Sequence, residues 1–199
     1  MRQEHFSDHA LPEGFYWFNP PPGQRLGAGL EMITGPETDF WQRTHYGFRR
    51  DDGHCLFTRL HGDFQFTTRV SFEARNQYDQ CGLMIRADAE NWIKLSTEYE
   101  TPAHSRLGSV VTNLGYSDWA TQTVSSGIRQ RWYRASRRGL DFLLEASLDG
   151  DDWEQLRIAH LHRAGAELEA GVYACSPVGR DFRCRFAFVE TDDNHWQAE

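Results

Sequence analysis

The stretch "YDQCGLMIRADAENWIKLSTEYE" (residues 78–100) contains two runs in which apolar and polar residues alternate. Polar residues at 88–91 separate the two runs and indicate a turn. A period of two is typical of β-strands, because successive side chains point to opposite faces of a sheet. The stretch therefore predicts an antiparallel hairpin, and it is the first evidence for an all-β fold.

The register of this hairpin follows from its two faces. A loop of three or five residues pairs odd-numbered, mainly apolar residues with one another, whereas a four-residue loop would place Ile85 opposite Lys94. The even-numbered face then combines both charge signs with an amide, a hydroxyl and an indole. Its members are Gln80, Arg86, Trp92, Lys94, Ser96 and Glu98. Two interpretations stay open, namely a binding surface and a solvated sheet face with cross-strand ion pairs.

The same period of two continues along most of the chain. Alternation predicts strands at 63–74, at 139–158 (two strands around a turn, with Leu140 and Leu148 on the apolar face) and at 181–190. In the last of these, Phe182, Cys184, Phe186 and Phe188 are predicted to share a face. A short helix is predicted around 160–169. Turn signals recur about every dozen residues, which is typical of a sandwich or barrel.

Chain length and net charge limit the number of domains and the classes of partner that the protein can have. A chain of 199 residues fits one domain, so we predict a single β-sandwich over 1–199 with its core at about 15–190. The net charge of −8 argues against nucleic-acid binding, which needs a basic surface. The sequence shows neither a membrane-length apolar segment nor a signal-peptide core, so no membrane association and a cytoplasmic location are expected. The four scattered cysteines are expected to be reduced.

Three separated stretches resemble the family known as domain of unknown function 1349, which is also described as similar to a yeast regulator of enolase. They are "TDFWQRTHYGF" (38–48), the hairpin 78–100 and "LGSVVTNLGYSDWA" (107–120), and the resemblance covers most of residues 15–190. It implies an antiparallel jelly-roll sandwich of the concanavalin A-like type, with one concave sheet. The family has no agreed reaction, so the resemblance implies a fold and leaves the chemistry open.

The 38–57 region adds aromatic and histidine candidates. Asp51–Gly53 predicts the turn of an edge hairpin, with Phe48, Leu56 and Phe57 available for packing. Trp41 and His45 belong to the first family-like stretch. An aromatic ring can stack on a sugar and a histidine can hydrogen-bond its hydroxyls, so a role at a cleft is one interpretation. The other is that Trp41 fills the space between the sheets.

Catalysis is less well supported by the sequence. Glycoside hydrolysis needs two carboxyl groups, and Glu98 is the best placed candidate, with Glu100 on the same face. Arg86 and Lys94 are expected to lower the pKa of Glu98. A serine nucleophile elbow is absent, the histidines lack metal-ligand spacing, and 149–152 is better explained as a hairpin turn than as a calcium loop. We therefore expect no metal and no cofactor.

The sequence thus favours a jelly roll that binds a small polar ligand, expected to be a saccharide, on its concave sheet. The alternatives are a glycoside hydrolase or lyase that uses Glu98, and an interaction module that regulates a metabolic enzyme through a protein partner. The predicted ligand-binding residues are Trp41, His45, Asp79, Gln80, Arg86, Trp92, Lys94, Ser96, Glu98, Asp118 and Trp119.

Overall fold

The computed structural model describes residues 1–196, which form two large antiparallel sheets and a small hairpin, with no helix among them. One of the large sheets has eight strands and the other has seven. Strands adjacent in space are often distant in sequence, as in a jelly roll, and the predicted antiparallel β-sandwich is confirmed.

The strands have the following bounds. In the eight-stranded sheet they are β1 (Arg2–Glu4), β3 (Gly23–Gly27), β4 (Gly29–Ile33), β8 (Phe64–Glu73), β13 (Gln130–Arg138), β14 (Asp141–Ser147), β15 (Glu154–His160) and β17 (Arg183–Asp192). In the seven-stranded sheet they are β2 (Tyr16–Phe18), β7 (His54–His61), β9 (Gln80–Asp88), β10 (Asn91–Tyr99), β11 (His104–Asn113), β12 (Tyr116–Ser125) and β16 (Glu167–Cys175). The small hairpin consists of β5 (Phe40–Gln42) and β6 (Arg49–Asp51). The eight-stranded sheet has the order β15-β14-β13-β8-β17-β4-β3, with β1 paired to β17, and the seven-stranded sheet has the order β12-β11-β10-β9-β16-β7-β2.

The β9–β10 hairpin has the predicted register. Ile93 pairs with Ile85 and Leu95 with Leu83, so odd residues meet odd residues. A bulge between Asn91 and Trp92 makes this possible, because it leaves five residues between Trp92 and its partner at position 86. The odd face packs into the main core between the sheets, and the even face lies on the outside of the seven-stranded sheet.

A second, smaller core covers part of that outer face. The β5–β6 hairpin folds over the seven-stranded sheet and buries aromatic side chains against it. Trp92 and Tyr173 are fully buried there, and the Phe40 ring contacts both of them edge-on. This second core fixes the hairpin above the sheet and leaves a cleft beside it.

Three local predictions from the 139–190 region are wrong. Residues 160–169 contain no helix, because β15 ends at His160 and β16 begins at Glu167, which leaves room only for a turn. Phe188 does not share the face of Phe186, since a bulge between them directs Val189 into the core instead. The predicted apolar face of β14 is also too long: Leu140 and Leu148 lie beyond the strand ends and are exposed.

The predicted hairpin around Asp51–Gly53 is also wrong. β6 pairs with β5 and not with β7, so the hairpin turn lies at residues 43–48 and Asp51–Gly53 links two different sheets. Leu56 and Phe57 are buried as expected, but Phe48 is exposed. The pairing of β5 places Phe40 over the outer face of the seven-stranded sheet, and burial of this aromatic ring explains why β6 turns back toward β5.

The four cysteines are buried free thiols. Among residues 1–196, the structure contains no helix that is long and apolar enough to span a bilayer.

Candidate functional site

A cleft of about 420 Å³ lies on the outer face of the seven-stranded sheet, next to the β5–β6 hairpin. The even-numbered residues of β10 form its centre, because the bulge at the start of β10 directs them away from the main core. Six of the predicted binding residues line this cleft: Trp41, Gln80, Lys94, Ser96, Glu98 and Trp119.

The floor of the cleft is formed largely by sheet backbone. Ser96 pairs with Gly82 on β9 and with Gly108 on β11, so that its row has no side chain on either side. A Cβ at Gly82 would overlap the carbonyl oxygen of Leu95, and one at Gly108 would overlap that of Ala120. Glycine is therefore required at both positions, and the small residues leave space for a ligand to reach Ser96.

One wall of the cleft is aromatic. The turn between β5 and β6 carries Tyr46, which is 55% exposed and stacks on Phe48 with 5.5 Å between ring centroids. Trp41 lies behind them, almost buried, with its indole N–H donating to the Thr44 carbonyl oxygen at 2.9 Å. On β12, Trp119 is 40% exposed and also lines the cleft. Exposed rings of this kind offer flat apolar surfaces to a ligand.

The aromatic turn has a constrained backbone. Arg43 and His45 both adopt positive φ angles, of 55° and 62°, which non-glycine residues rarely do. The Arg43 guanidinium ties the turn down by donating to the Gly115 carbonyl oxygen (2.7 Å) and to the Glu90 carboxylate (2.9 Å). These contacts explain how an exposed turn holds its rings in place above the sheet.

Lys94 holds the hairpin rather than offering a free charge to the cleft. Its ammonium group is buried, donates to the Phe40 carbonyl oxygen at 2.9 Å and lies 3.5 Å from the Asp39 carboxylate. An ammonium paired with a carboxylate in this way carries little net charge toward a ligand. Lys94 and Asp39 therefore act mainly as the anchor between β10 and β5.

Glu98 lies deep in the same cleft. Burial raises its pKa to about 8, and this effect outweighs the nearby positive charge of Lys94. Lys94 lowers this pKa as expected, but the loss of solvation is the larger effect, so the net shift is upward. Gln80 donates to Glu98 Oε2 at 2.5 Å, and Tyr173 fixes the Gln80 amide by donating to its Oε1 at 3.1 Å. The raised pKa favours the protonated form of Glu98 at neutral pH, and the hydrogen bond from Gln80 orients the carboxyl group.

The structure places the five other predicted binding residues outside the cleft lining. The Asp79 carboxylate accepts hydrogen bonds from the backbone N–H groups of residues 75 and 76 and from Ser176, so it shapes a loop. Arg86 pairs with two carboxylates at the far end of the hairpin, Trp92 is fully buried, and Asp118 pairs with Arg157 at the sandwich edge. His45 contacts the Tyr46 ring edge-on, with 4.7 Å between the ring centroids.

Sequence reasoning missed several residues that line the cleft. They are Asp39, Tyr46, Phe48, Arg50, Tyr78, Arg106, Gly108, Ser109, Val110, Pro177 and Val178. The sequence could have predicted the β11 residues if β11 had been paired with β10, because alternation then places Arg106 opposite Glu98 and Gly108 opposite Ser96. The hairpin and loop residues carry no such signal, because their position depends on the packing of β5 over the sheet.

The described part of the chain has no group of three or more histidine, cysteine or acidic residues arranged to hold a metal ion.

The fold and the cleft define an antiparallel jelly-roll protein with an aromatic-rimmed site on one sheet. The chain belongs to the family described as Protein of unknown function (DUF1349), whose pattern matches residues 17–194. It is 35% identical over 162 residues to Regulation of enolase protein 1 of Saccharomyces cerevisiae, covering 81% of this chain and 80% of that protein.

Solved structures support the fold over nearly the whole chain. A functionally unknown protein from Saccharomyces cerevisiae is similar with a TM-score of 0.86 and 30% identity, covering 92% of this chain and 98% of that one. A xylan beta-1,4-xylosidase from Bacillus halodurans is similar with a TM-score of 0.75 and 12% identity. The match covers 96% of this chain but 39% of the enzyme. The carbohydrate binding module CBM66 from Bacillus subtilis is similar with a TM-score of 0.58 and 13% identity. The match covers 90% of this chain and 96% of the module.

Proposed function

We propose that this protein binds a small polar ligand, a saccharide, in the cleft on the outer face of the seven-stranded sheet. The observation that carries the proposal is the combination of exposed aromatic rings at the rim with oriented polar groups at the floor. Sugars present apolar C–H faces and a ring of hydroxyls, so such a cleft offers both kinds of contact. The likeness to a carbohydrate binding module along almost its full length supports this choice.

We assign the contacts as follows. Trp119 and Tyr46 stack on the faces of the sugar, and Ser96 and Glu98 hydrogen-bond its hydroxyls from below. Because Gln80 occupies Glu98 Oε2, the other carboxyl oxygen is the one available to the ligand. A protonated carboxylic acid donates as well as accepts, which suits a hydroxyl group.

The test is a glycan-array screen followed by titration calorimetry with the best ligand. Glu98→Ala is expected to weaken binding about tenfold or more, since one buried hydrogen bond to a ligand contributes about 1 kcal/mol and an unfilled space adds to the loss. Glu98→Gln is expected to bind nearly as well as wild type below pH 8, because it replaces a protonated acid by a group of the same shape. Wild-type binding should weaken above pH 8, and Glu98→Gln should not follow it.

Glu73→Gln provides the matched control, since Glu73 is an exposed carboxylate on the other sheet. It should leave binding unchanged at every pH. Equal binding by Glu98→Ala and wild type would contradict the assignment of this cleft, and a screen without any bound saccharide would contradict the ligand class.

Glycoside hydrolysis is a second candidate, favoured by the raised pKa of Glu98. Hydrolysis requires one protonated acid and one further carboxylate, and Asp39 lines the same cleft. Turnover of aryl glycosides that is lost in Glu98→Gln and Asp39→Asn, and that falls above pH 8, would support an enzyme. Saccharide binding without turnover would contradict the enzyme and support a binding module.

Regulation of a metabolic enzyme is a third candidate, favoured by the yeast relative's name. We infer from that name a protein partner of the enolase type. Enolase activity measured with and without the purified chain tests it, and a rate that does not change at any ratio of the two proteins would rule out a direct effect.

A further inference from the structure

One edge of the seven-stranded sheet is an open, regular strand. Within residues 1–196, β12 pairs with one strand only, β11, over ten consecutive residue pairs without a bulge. Residues 118–123 are all exposed, and the only charged side chain on β12, Asp118, is paired with Arg157 at 3.0 Å. The stretch from Trp119 to Ser125 therefore has no charged side chain of its own, and Arg106 on β11 donates to Thr123 Oγ1 at 2.8 Å.

The other sheet edges in residues 1–196 have the features that prevent strand pairing. β2 is three residues long, β3 carries Arg25, and β15 has a bulge together with Glu154 and Arg157. Short length, charge and bulges are the usual protection of a sheet edge. The Trp119–Ser125 part of β12 has none of these three features, so it is the candidate pairing surface.

The hydrogen-bonding groups that β12 offers follow from its turn. Leu114 and Gly115 form a two-residue turn with both φ angles positive, so Asn113 and Tyr116 are the closing hydrogen-bonded pair. In an antiparallel ladder such pairs alternate with non-hydrogen-bonded ones. The odd residues Ser117, Trp119, Thr121 and Thr123 consequently direct both their N–H and their C=O groups outward. Ser125 directs its N–H outward, whereas its carbonyl oxygen accepts from the Ile128 N–H at 3.2 Å.

The start of this edge is covered, because the backbone N–H of Gln42 on β5 donates to Ser117 Oγ at 2.9 Å. The free stretch is thus Trp119–Ser125, and its central residue is Gln122.

We propose that β12 pairs antiparallel with β12 of a second copy of this chain, across a twofold axis at Gln122. In this register Trp119 is opposite Ser125 and Thr121 is opposite Thr123, and these odd residues are the ones whose backbone groups point outward. Ala120 is opposite Val124, and Gln122 is opposite itself. The two seven-stranded sheets then form one continuous sheet across the dimer.

The sequence of β12 fits a second copy well. The register pairs threonine with threonine and alanine with valine, and both kinds of cross-strand pair stabilise a sheet. No like charges meet, since Asp118 lies outside the paired stretch. For a chain with a net charge of −8, an uncharged edge is the place where two copies approach with least repulsion.

Cysteine cross-linking tests this register directly. Gln122→Cys places two thiols on the axis, in a non-hydrogen-bonded pair with Cα atoms about 4.5 Å apart, within disulfide reach. Diamide takes up the two electrons and two protons that the thiols release, and a covalent dimer should form. Ala120→Cys is the matched control, because its thiols would lie about 13 Å apart along the strands. The native cysteines are buried and do not interfere.

Sedimentation equilibrium of wild type and Thr121→Pro provides the second test. Proline is tolerated on an edge where the N–H points outward, so the variant should fold but sediment as a monomer, whereas wild type should sediment as a dimer. Thr123→Lys, which places a charge next to the axis on each copy, should give the same result if the proline variant does not fold. A monomeric wild type, a dimeric Thr123→Lys, or equal cross-linking of Gln122→Cys and Ala120→Cys would overturn the proposal.

Discussion

Replacing Glu98 by glutamine should stabilise the protein, and the gain should grow with pH. The pKa of Glu98 is about 8 in the folded protein, against 4.5 for the group in its ordinary state. Between these values the folded state binds a proton that the unfolded state has released. The stability contributed by this raised pKa is fully present below pH 4.5 and is lost as the pH rises toward 8. Glutamine carries no ionisable proton and so avoids the loss.

The size of the effect follows from the pKa difference. One unit corresponds to about 1.4 kcal/mol, so a shift of roughly three units sets an upper limit of about 4 to 5 kcal/mol at pH 8. Water that enters the cleft reduces this value, and we expect about 2 to 3 kcal/mol between pH 5 and pH 8. The hydrogen bond from Gln80 is retained, because the glutamine carbonyl oxygen also accepts it.

Urea unfolding at pH 5, 6, 7 and 8, followed by tryptophan fluorescence, measures the difference between variant and wild type. All other titrating groups are shared by the two proteins, so their pH dependence cancels in the difference. Glu154→Gln, at an exposed position on β15, provides the baseline for removing a surface charge. A stability difference for Glu98→Gln that stays constant from pH 5 to pH 8 would refute the reasoning.

Three further predictions concern the two cores and the cleft floor. Trp92→Ala should lower the free energy of unfolding by about 3 to 5 kcal/mol in urea melts, because Trp92 is fully buried. Trp119→Ala, at an exposed site, should change it by less than about 1 kcal/mol. Similar losses in the two variants would show that both are core residues. Gly108→Ala should lower the urea midpoint clearly, because its Cβ would overlap the Ala120 carbonyl oxygen, and an unchanged midpoint would show that the strands can separate. Burial lowers the pKa of His54 below 6.5, so the free energy of unfolding should fall as the pH drops below about 6.5. This fall should be shallower in His54→Gln. If wild type and variant lose stability equally with falling pH, His54 is not the cause.

Alternation along single strands was enough to predict the main core. The odd residues of β9 and β10 pack between the sheets as expected, because a strand with one buried face must alternate and its register follows from matching that face. Where a bulge interrupts the strand the inference fails: Phe188 was expected inside, yet the extra residue before it reverses the faces. A bulge depends on strand partners far apart in sequence, so local alternation does not reveal it.

The sequence was enough to recognise the even face of the β9–β10 hairpin as unusual. It did not show which of its residues line the cleft and which are buried. Gln80, Lys94, Ser96 and Glu98 line the cleft, whereas Trp92 on the same face is buried under β5. Only the tertiary structure decides this, since a strand pattern gives the direction of a side chain and not what covers it.

By itself, the sequence determined that this is an antiparallel β-sandwich with a mixed polar and aromatic face at residues 78–100, because strand periodicity is a local property of the chain. The tertiary structure decided that Tyr46 and Trp119 meet at one cleft and that burial raises the pKa of Glu98 within it. Both depend on how the β5–β6 hairpin packs over the sheet. Burial of Glu98 raises its pKa, and this loss of solvation outweighs the nearby charge of Lys94, which the sequence alone made visible.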